Sequence, residues 1–257
     1  MPGIHDSAEQ GYALGAATYQ QGRPDYPAAI VDWLRSSLGL IAGRTVCDLG
    51  AGTGKFLPFL AATGADIIAV EPVREMREKL QAAHPGAVAL EGSAEAIPLG
   101  DASVDAVICA QAFHWFANAT ALGEIHRVLR PGGRLGLVWN VRDESLDWVA
   151  ALSKIIDRHQ GDAPRFVSGA WRRPFGTTTM FSPLREQRFA YRHVGPPHRV
   201  IVDRSLSVSF IAALPPSERS RVERQVGALI ASTPALAGKD EVAFPYVTMA
   251  YSGVRLG

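Results

Sequence analysis

The sequence predicts a doubly wound α/β domain, with a mostly parallel seven-stranded sheet and helices on both faces. Three observations predict it. Short apolar runs alternate with amphipathic helical patterns between residues 45 and 141, a glycine-rich turn joins the first run to the helix after it, and the strand-like runs are bounded on both sides by helices with an apolar face. Parallel neighbours need crossover helices, and the right-handed crossover rule puts those helices on two sides.

The elements follow in order. A short helix is expected over Ala16 to Arg23, and Arg23-Pro24-Asp25-Tyr26-Pro27 then reads as extended or turn chain, because two prolines restrict their neighbours. A helix starting at Pro27 places Ile30, Val31, Leu34 and Leu38 on one face and ends at Gly39. Thr45 to Leu49 is the first strand, followed by Gly50-Ala51-Gly52-Thr53-Gly54 and a helix through Ala62. Asp66 to Glu71 is the second strand, Val73 to His84 an amphipathic helix, and Val88 to Glu91 the third strand. Val104 to Ala110, a helix over Thr120 to Leu129, a turn at Pro131-Gly132-Gly133 and Leu135 to Val141 complete the alternation. Beyond it come a helix over Leu146 to His159, a loop over Gly161 to Met180 and a strand over Leu184 to Tyr191. Helices around Ser205–Leu214 and Ser217–Ala231 precede a last strand over Val242 to Tyr251.

Composition excludes several function classes. Of 257 residues, 47% are hydrophobic and 20% charged, which makes a globular chain with a sizeable core. The 26 basic residues nearly cancel the 25 acidic ones, so no basic excess points to nucleic acid. No apolar run approaches the ~18–20 residues a bilayer span needs, and the polar Met1 to Gln10 has no signal-peptide core. The expectation is a cytoplasmic protein, monomer or homodimer, without a metal. Cys47 and Cys109 lack zinc or redox spacing and read as core thiols.

The sharpest signal is Val46-Cys47-Asp48-Leu49-Gly50-Ala51-Gly52-Thr53-Gly54. Glycines at a strand-to-helix turn let a ligand lie against bare backbone. A mononucleotide P-loop requires Gly-Lys-Ser/Thr, but Phe56 follows Gly54-Lys55. The dinucleotide fingerprint requires its third glycine three residues after the second, but Gly54 comes after two. Asp48 would also repel a pyrophosphate, while it suits a ligand with a positive amino or sulfonium group. Glu71, ending the second strand, can accept two hydrogen bonds from a ribose diol. Met76 suits an adenine face or the core equally.

With these residues in view, the chain resembles the class I S-adenosylmethionine-dependent methyltransferases of the small-molecule, type 11 group. The resemblance runs from Tyr19 to Val141. It includes the glycine loop, Val70-Glu71-Pro72, Ala94-Glu95-Ala96-Ile97-Pro98, Asp101-Ala102-Ser103-Val104-Asp105-Ala106-Val107 and Leu129-Arg130-Pro131-Gly132-Gly133. Tyr19-x3-Arg23-Pro24-Asp25-Tyr26-Pro27, Gln111-Ala112-Phe113-His114-Trp115-Phe116 and Phe244-Pro245-Tyr246-Val247-Thr248 are similar to its trans-aconitate methyltransferase-like branch. Ser93 stands where the family often has Asp, so the adenine amino group would be held by backbone or Glu95. The resemblance implies a Rossmann-like methyltransferase fold with S-adenosylmethionine as cofactor and S-adenosylhomocysteine as product. The cofactor would lie on Gly50, Gly52 and Gly54, with Glu71 on the ribose, Ser93 and Ala94 beside the adenine, and Gln111 flanking the methionine part. Tyr19 and Arg23 would close over it. The chain then reads as one domain over 1–257. Its parts are a cap segment at 1–44, a cofactor-binding core at 45–141, a substrate-side insertion at 142–183 and a completing part at 184–257.

Methyl transfer displaces a group at a carbon that the sulfonium already activates, so the protein chiefly aligns the nucleophile and excludes water. A base is needed only when the acceptor carries a proton. His114, just after the fourth strand, is expected near the methyl group as general base, positioning donor or packed histidine. Trp115 is a candidate pocket wall, Arg172 and Arg173 a candidate clamp for an acidic substrate, and Tyr246 a further candidate contact. The expected reaction is methyl transfer to a small molecule, with a carboxylate of an organic acid as the favoured acceptor. The alternatives are an O- or N-methyltransferase using His114 as base, and an inactive cofactor-binding regulatory protein.

Overall fold

The computed structural model describes residues 23–257. The expected helix beginning at Ala16, and Tyr19 with it, lie outside the described residues. Seven strands are present among them: β1 (Thr45–Leu49), β2 (Asp66–Val70), β3 (Val88–Leu90), β4 (Val104–Ala110), β5 (Leu129–Arg142), β6 (Arg185–Gly195) and β7 (Val242–Val254). They form one sheet in the order β3-β2-β1-β4-β5-β7-β6. β1 pairs in parallel with β2 and β4, and the pairs β2–β3 and β4–β5 are also parallel. The expected doubly wound sheet is therefore present. Strand order reverses between β1 and β4, and the crevice beyond their carboxyl ends is where such sheets bind ligands. Asp48 stands in register with Ile108 there.

Packing divides the chain into two compact units. One comprises Tyr26–Trp139, Pro164–Phe189 and Thr248–Gly257. In it, the helix Ala29–Leu38 buries Ile30, Trp33, Leu34 and Leu38 against Val46, Ala106, Ile108 and Val138. Ile30, Leu34 and Leu38 lie on the face its 3.6-residue spacing predicts, while the expected Val31 is only partly buried and Trp33 joins the core; each buried aliphatic side chain contributes about 1.5–3 kcal/mol. A smaller cluster of Leu57, Ala69 and Leu80 packs in the same unit. Cys47 and Cys109 are buried free thiols there, pushed up by that burial. The other unit comprises Asn140–Ala163 and Ala190–Val247, with residues 23–25. The helices Asp147–Asp157 and Pro216–Ser232 enclose Val149, Leu152, Ile156, Val222, Val226, Phe244 and Tyr246. The segment expected as an insertion is thus divided after Ala163.

Three elements depart from expectation. The helix after the glycine loop covers only Leu57–Ala61, because successive left-handed glycines precede it and Pro58 sits in its first turn. The helix expected around Ser205–Leu214 is broken into short helices at Arg204–Leu206 and Ser209–Ala212, with Val208 extended between them, and a π-helix at His198–Asp203 leads into the first. Pro131-Gly132-Gly133 lies inside β5 and does not precede it: pairing jumps from Val104–Leu129 to Ala106–Arg134, so the extra residues bulge out of the ladder. No helix among the described residues is long and apolar enough to cross a membrane.

Candidate active site

The first unit brings Asp48 and the three loop glycines to the carboxyl end of β1, Glu71 to that of β2, and Gln111, His114 and Trp115 to that of β4. The turn after β1 is pinned by Gly50 N–H and Ala51 N–H, which both donate to the Val70 carbonyl at 2.8 and 3.2 Å. Gly50, Gly52 and Gly54 have φ of +73°, +58° and +80°, a region that side chains enter at a cost. A Cβ at Gly50 would stand 2.8 Å from Ala112 Cβ, and one at Gly54 2.8 Å from His84 Cδ2. At Gly52 nothing lies within 4 Å. Two of the glycines therefore serve close packing, and the middle one exposes bare backbone.

Two carboxylates flank that backbone. Glu71 is only 7% exposed. Its Oε2 accepts from Gly52 N–H at 2.8 Å and its Oε1 from Val73 N–H at 3.0 Å. It is therefore a bonded, buried group, not a solvated strand-end charge. Burial raises its pKa, and the two backbone bonds oppose that shift. Asp48 is fully buried, and neither of its carboxylate oxygens has a hydrogen-bond partner among the described residues. Burial, then the nearby Glu71 charge, pushes its carboxyl up to about 7. An unpartnered buried carboxylate is costly, and a cation placed beside it would recover that cost. The donor set fits S-adenosylmethionine: bare backbone at Gly52, acceptor oxygens on Glu71 for a diol, and Asp48 for a positive group.

The adenine-side candidates are also in this unit. Met76 is buried on the helix Arg74–Ala83. Ser93 bridges to Ala96, Ala94 is buried, and Glu95 Oε1 accepts from Asn118 Nδ2 at 2.9 Å. Gln111 follows β4 with φ +59°, a left-handed conformation costing roughly 1–2 kcal/mol outside glycine. Its N–H donates to the Val138 carbonyl at 2.7 Å, which holds the strained turn in place.

His114 sits on a single turn, Phe113–Trp115, directly after that strained residue. Its Nδ1 accepts from Trp139 Nε1–H at 3.0 Å. Trp115 is half-buried, its ring 5.0 Å from the imidazole. Trp139 itself packs on Trp171 at 4.7 Å, Phe166 at 5.0 Å and Tyr251 at 6.0 Å. The sequence pattern gave no signal for this group, since Trp139 reads there as one more apolar strand residue.

The paired arginines differ. Arg172 Nη2 donates to Tyr251 Oη at 3.0 Å and to Glu186 at 3.3 Å. Its guanidinium also lies 4.4 Å from the Trp171 ring centre and 4.8 Å from that of Tyr251. Arg173 is exposed. Burial, then a bond to Glu186, pushes Tyr251 up to about 12, so its hydroxyl stays protonated. Arg23 and Tyr246 belong to the other unit. There Arg23 Nη2 donates to the Ser207 carbonyl at 3.2 Å. Tyr246 is buried in that unit's core, its ring 4.7 Å from Phe244.

Comparison with known proteins agrees with this geometry. Residues 47–137 match the family model described as a methyltransferase domain. An uncharacterized methyltransferase of Mycobacterium bovis is 46% identical over 239 residues, covering 93% of this chain and 92% of its own. An uncharacterized methyltransferase-like protein of Schizosaccharomyces pombe is 41% identical over 248 residues, 95% of each chain. Among solved structures, one from Anaeromyxobacter dehalogenans, titled as a candidate type II methyltransferase, superposes with a TM-score of 0.65 at 22% identity. That superposition covers 91% of this chain and 96% of the other.

Proposed function

Since the chain belongs to the class I S-adenosylmethionine-dependent methyltransferases, we propose that it methylates a small-molecule acceptor, a carboxylate of an organic acid, with the cofactor held by Asp48, Gly52 and Glu71. One observation carries the cofactor part: bare backbone at Gly52 lies beside a buried carboxylate pair, and Asp48 has no partner among the described residues. When bound, the cofactor supplies a methyl group activated by its sulfonium. This chain's residues do the rest. Glu71 ties the loop through Gly52 and orients the ribose. Asp48 offsets positive charge, and Gln111 sets the direction in which the chain enters the His114 turn. His114 and Trp115 border the acceptor side. A carboxylate acceptor supports this assignment of roles because it carries no proton to remove, so alignment and water exclusion suffice. Arg172 is already engaged by Glu186 and two ring faces, which leaves Arg173 as the member of the pair assigned to the acid.

The test is a screen of fractionated metabolite extract with the purified protein and methyl-labelled S-adenosylmethionine. The expected product is acidic in origin, of low mass, and loses its label in mild alkali, as a methyl ester does. An alkali-stable product would place the methyl group on a hydroxyl or amine and favour a base mechanism. Cofactor binding with no label transferred from any extract would favour the regulatory reading.

A further inference from the structure

We infer that Trp139 is a positioning residue for the reaction: its indole N–H fixes His114 as the Nε2–H tautomer, so neither ring nitrogen of His114 serves as a base. The functional half of this inference rests on the methyl-transfer reading above; the tautomer does not.

An indole nitrogen can only donate. At 3.0 Å from Nδ1, Trp139 Nε1–H therefore requires a lone pair on that atom, which leaves the ring proton on Nε2. A neutral His114 acting as base through Nε2 would carry its proton on Nδ1. That proton would face the indole N–H, donor against donor. Nδ1 cannot serve as the base either, because its lone pair is already engaged.

The indole cannot simply turn away. Trp139 is 1% exposed and lies between the Trp171, Phe166 and Tyr251 rings. Phe166 in turn stacks on Trp171 at 5.7 Å, and Trp171 Nε1–H donates to the Phe166 carbonyl at 3.2 Å. Swinging the indole out of its bond would strand a buried N–H without a partner. The aromatic group thus has a second use besides packing: it holds one N–H donor aimed at one imidazole nitrogen.

This choice of tautomer suits one acceptor class. An ionised carboxylate carries no proton to remove, so a His114 that cannot act as a base is no obstacle to it. One carboxylate oxygen forms the new O–CH3 bond as the S–CH3 bond breaks and its electron pair returns to sulfur. No proton moves. A hydroxyl or ammonium acceptor would need a base, and in this tautomer His114 has no free lone pair to serve as one.

The direct test is nitrogen-15 NMR of the full chain labelled at histidine. The chain has seven histidines, and the His114 signals are identified by their loss in His114→Gln. The expected wild-type pattern is a protonated Nε2 and an unprotonated, hydrogen-bonded Nδ1 across pH 7–8. Trp139→Phe keeps an aromatic ring and removes the donor, so it should shift Nδ1 and mix the tautomers. An Nδ1–H pattern in the wild type, or identical His114 signals in Trp139→Phe, overturns the inference. The wild-type spectrum decides even when Trp139→Phe fails to fold. With a methylated acid in hand, His114→Gln removes no base, so kcat should fall less than about tenfold; a lost base would cost 10²-fold or more in kcat. If no acid is methylated and the Nε2–H pattern stands, the acceptor reading alone has failed.

Discussion

Asp48→Asn is expected to stabilise the ligand-free protein at pH 8 while weakening its hold on S-adenosylmethionine. The buried carboxyl titrates at about 7 in the folded chain, against an ordinary value near ~3.9 in the unfolded one. Between those values the unfolded chain releases its proton and the folded chain keeps it. Stability is therefore lost as pH rises from about 4 to 7, and the full cost, up to roughly 4 kcal/mol, is present above 7. Asparagine removes the charge but leaves an unbonded amide worth about 1–3 kcal/mol against it, so a net gain of roughly 1–3 kcal/mol is expected. Urea unfolding of both proteins at pH 5 and pH 8 measures it. The difference between them should favour the variant at pH 8 and shrink or reverse at pH 5. Cofactor binding should show the opposite preference, because a cationic ligand restores the ionised state. Wild-type affinity should rise with pH through about 7, and the variant's should not. Parallel stability of the two proteins at both pH values would mean that Asp48 is not the strained charge of the site.

Glu71→Ala is expected to weaken cofactor binding by at least tenfold and leave the circular dichroism spectrum unchanged. Both oxygens already accept a backbone N–H, from Gly52 and Val73, and each retains a second lone pair for a ribose hydroxyl. Charge-assisted bonds contribute about 1.5–3 kcal/mol each before water compensates, and roughly 1.4 kcal/mol is a factor of ten. The substitution also unties the glycine turn at Gly52, so the loss should exceed what the ribose bonds alone provide. Glu71→Gln, which keeps one acceptor, should fall between. An unchanged dissociation constant would mean that the carboxylate takes no part in cofactor binding.

The core of the fold was legible because its signals are local. The glycine loop, the apolar strands and the helix stripe of Ile30, Leu34 and Leu38 each follow from short-range sterics and periodicity, and the parallel order follows from crossover geometry. Asp48 and Glu71 were legible as strand-end carboxylates beside the glycines, but their burial was not. What escaped depends on partners distant in sequence. Val208 breaks a helix that its neighbours' periodicity supports. Arg172 looked available to a substrate until Glu186 and Tyr251 closed on it. Trp139 carries no pattern that sets it apart from a core strand residue, and its role follows only from the indole N–H meeting His114 across 25 residues of chain.

Every role proposed for this chain depends on Asp48, Gly52 and Glu71 forming a site for S-adenosylmethionine. Titration calorimetry of the purified chain with S-adenosylmethionine, S-adenosylhomocysteine and NAD in turn tests it most directly. Saturable binding of both adenosyl ligands, with no heat from NAD, is the predicted result. Binding of NAD without either adenosyl ligand would contradict it.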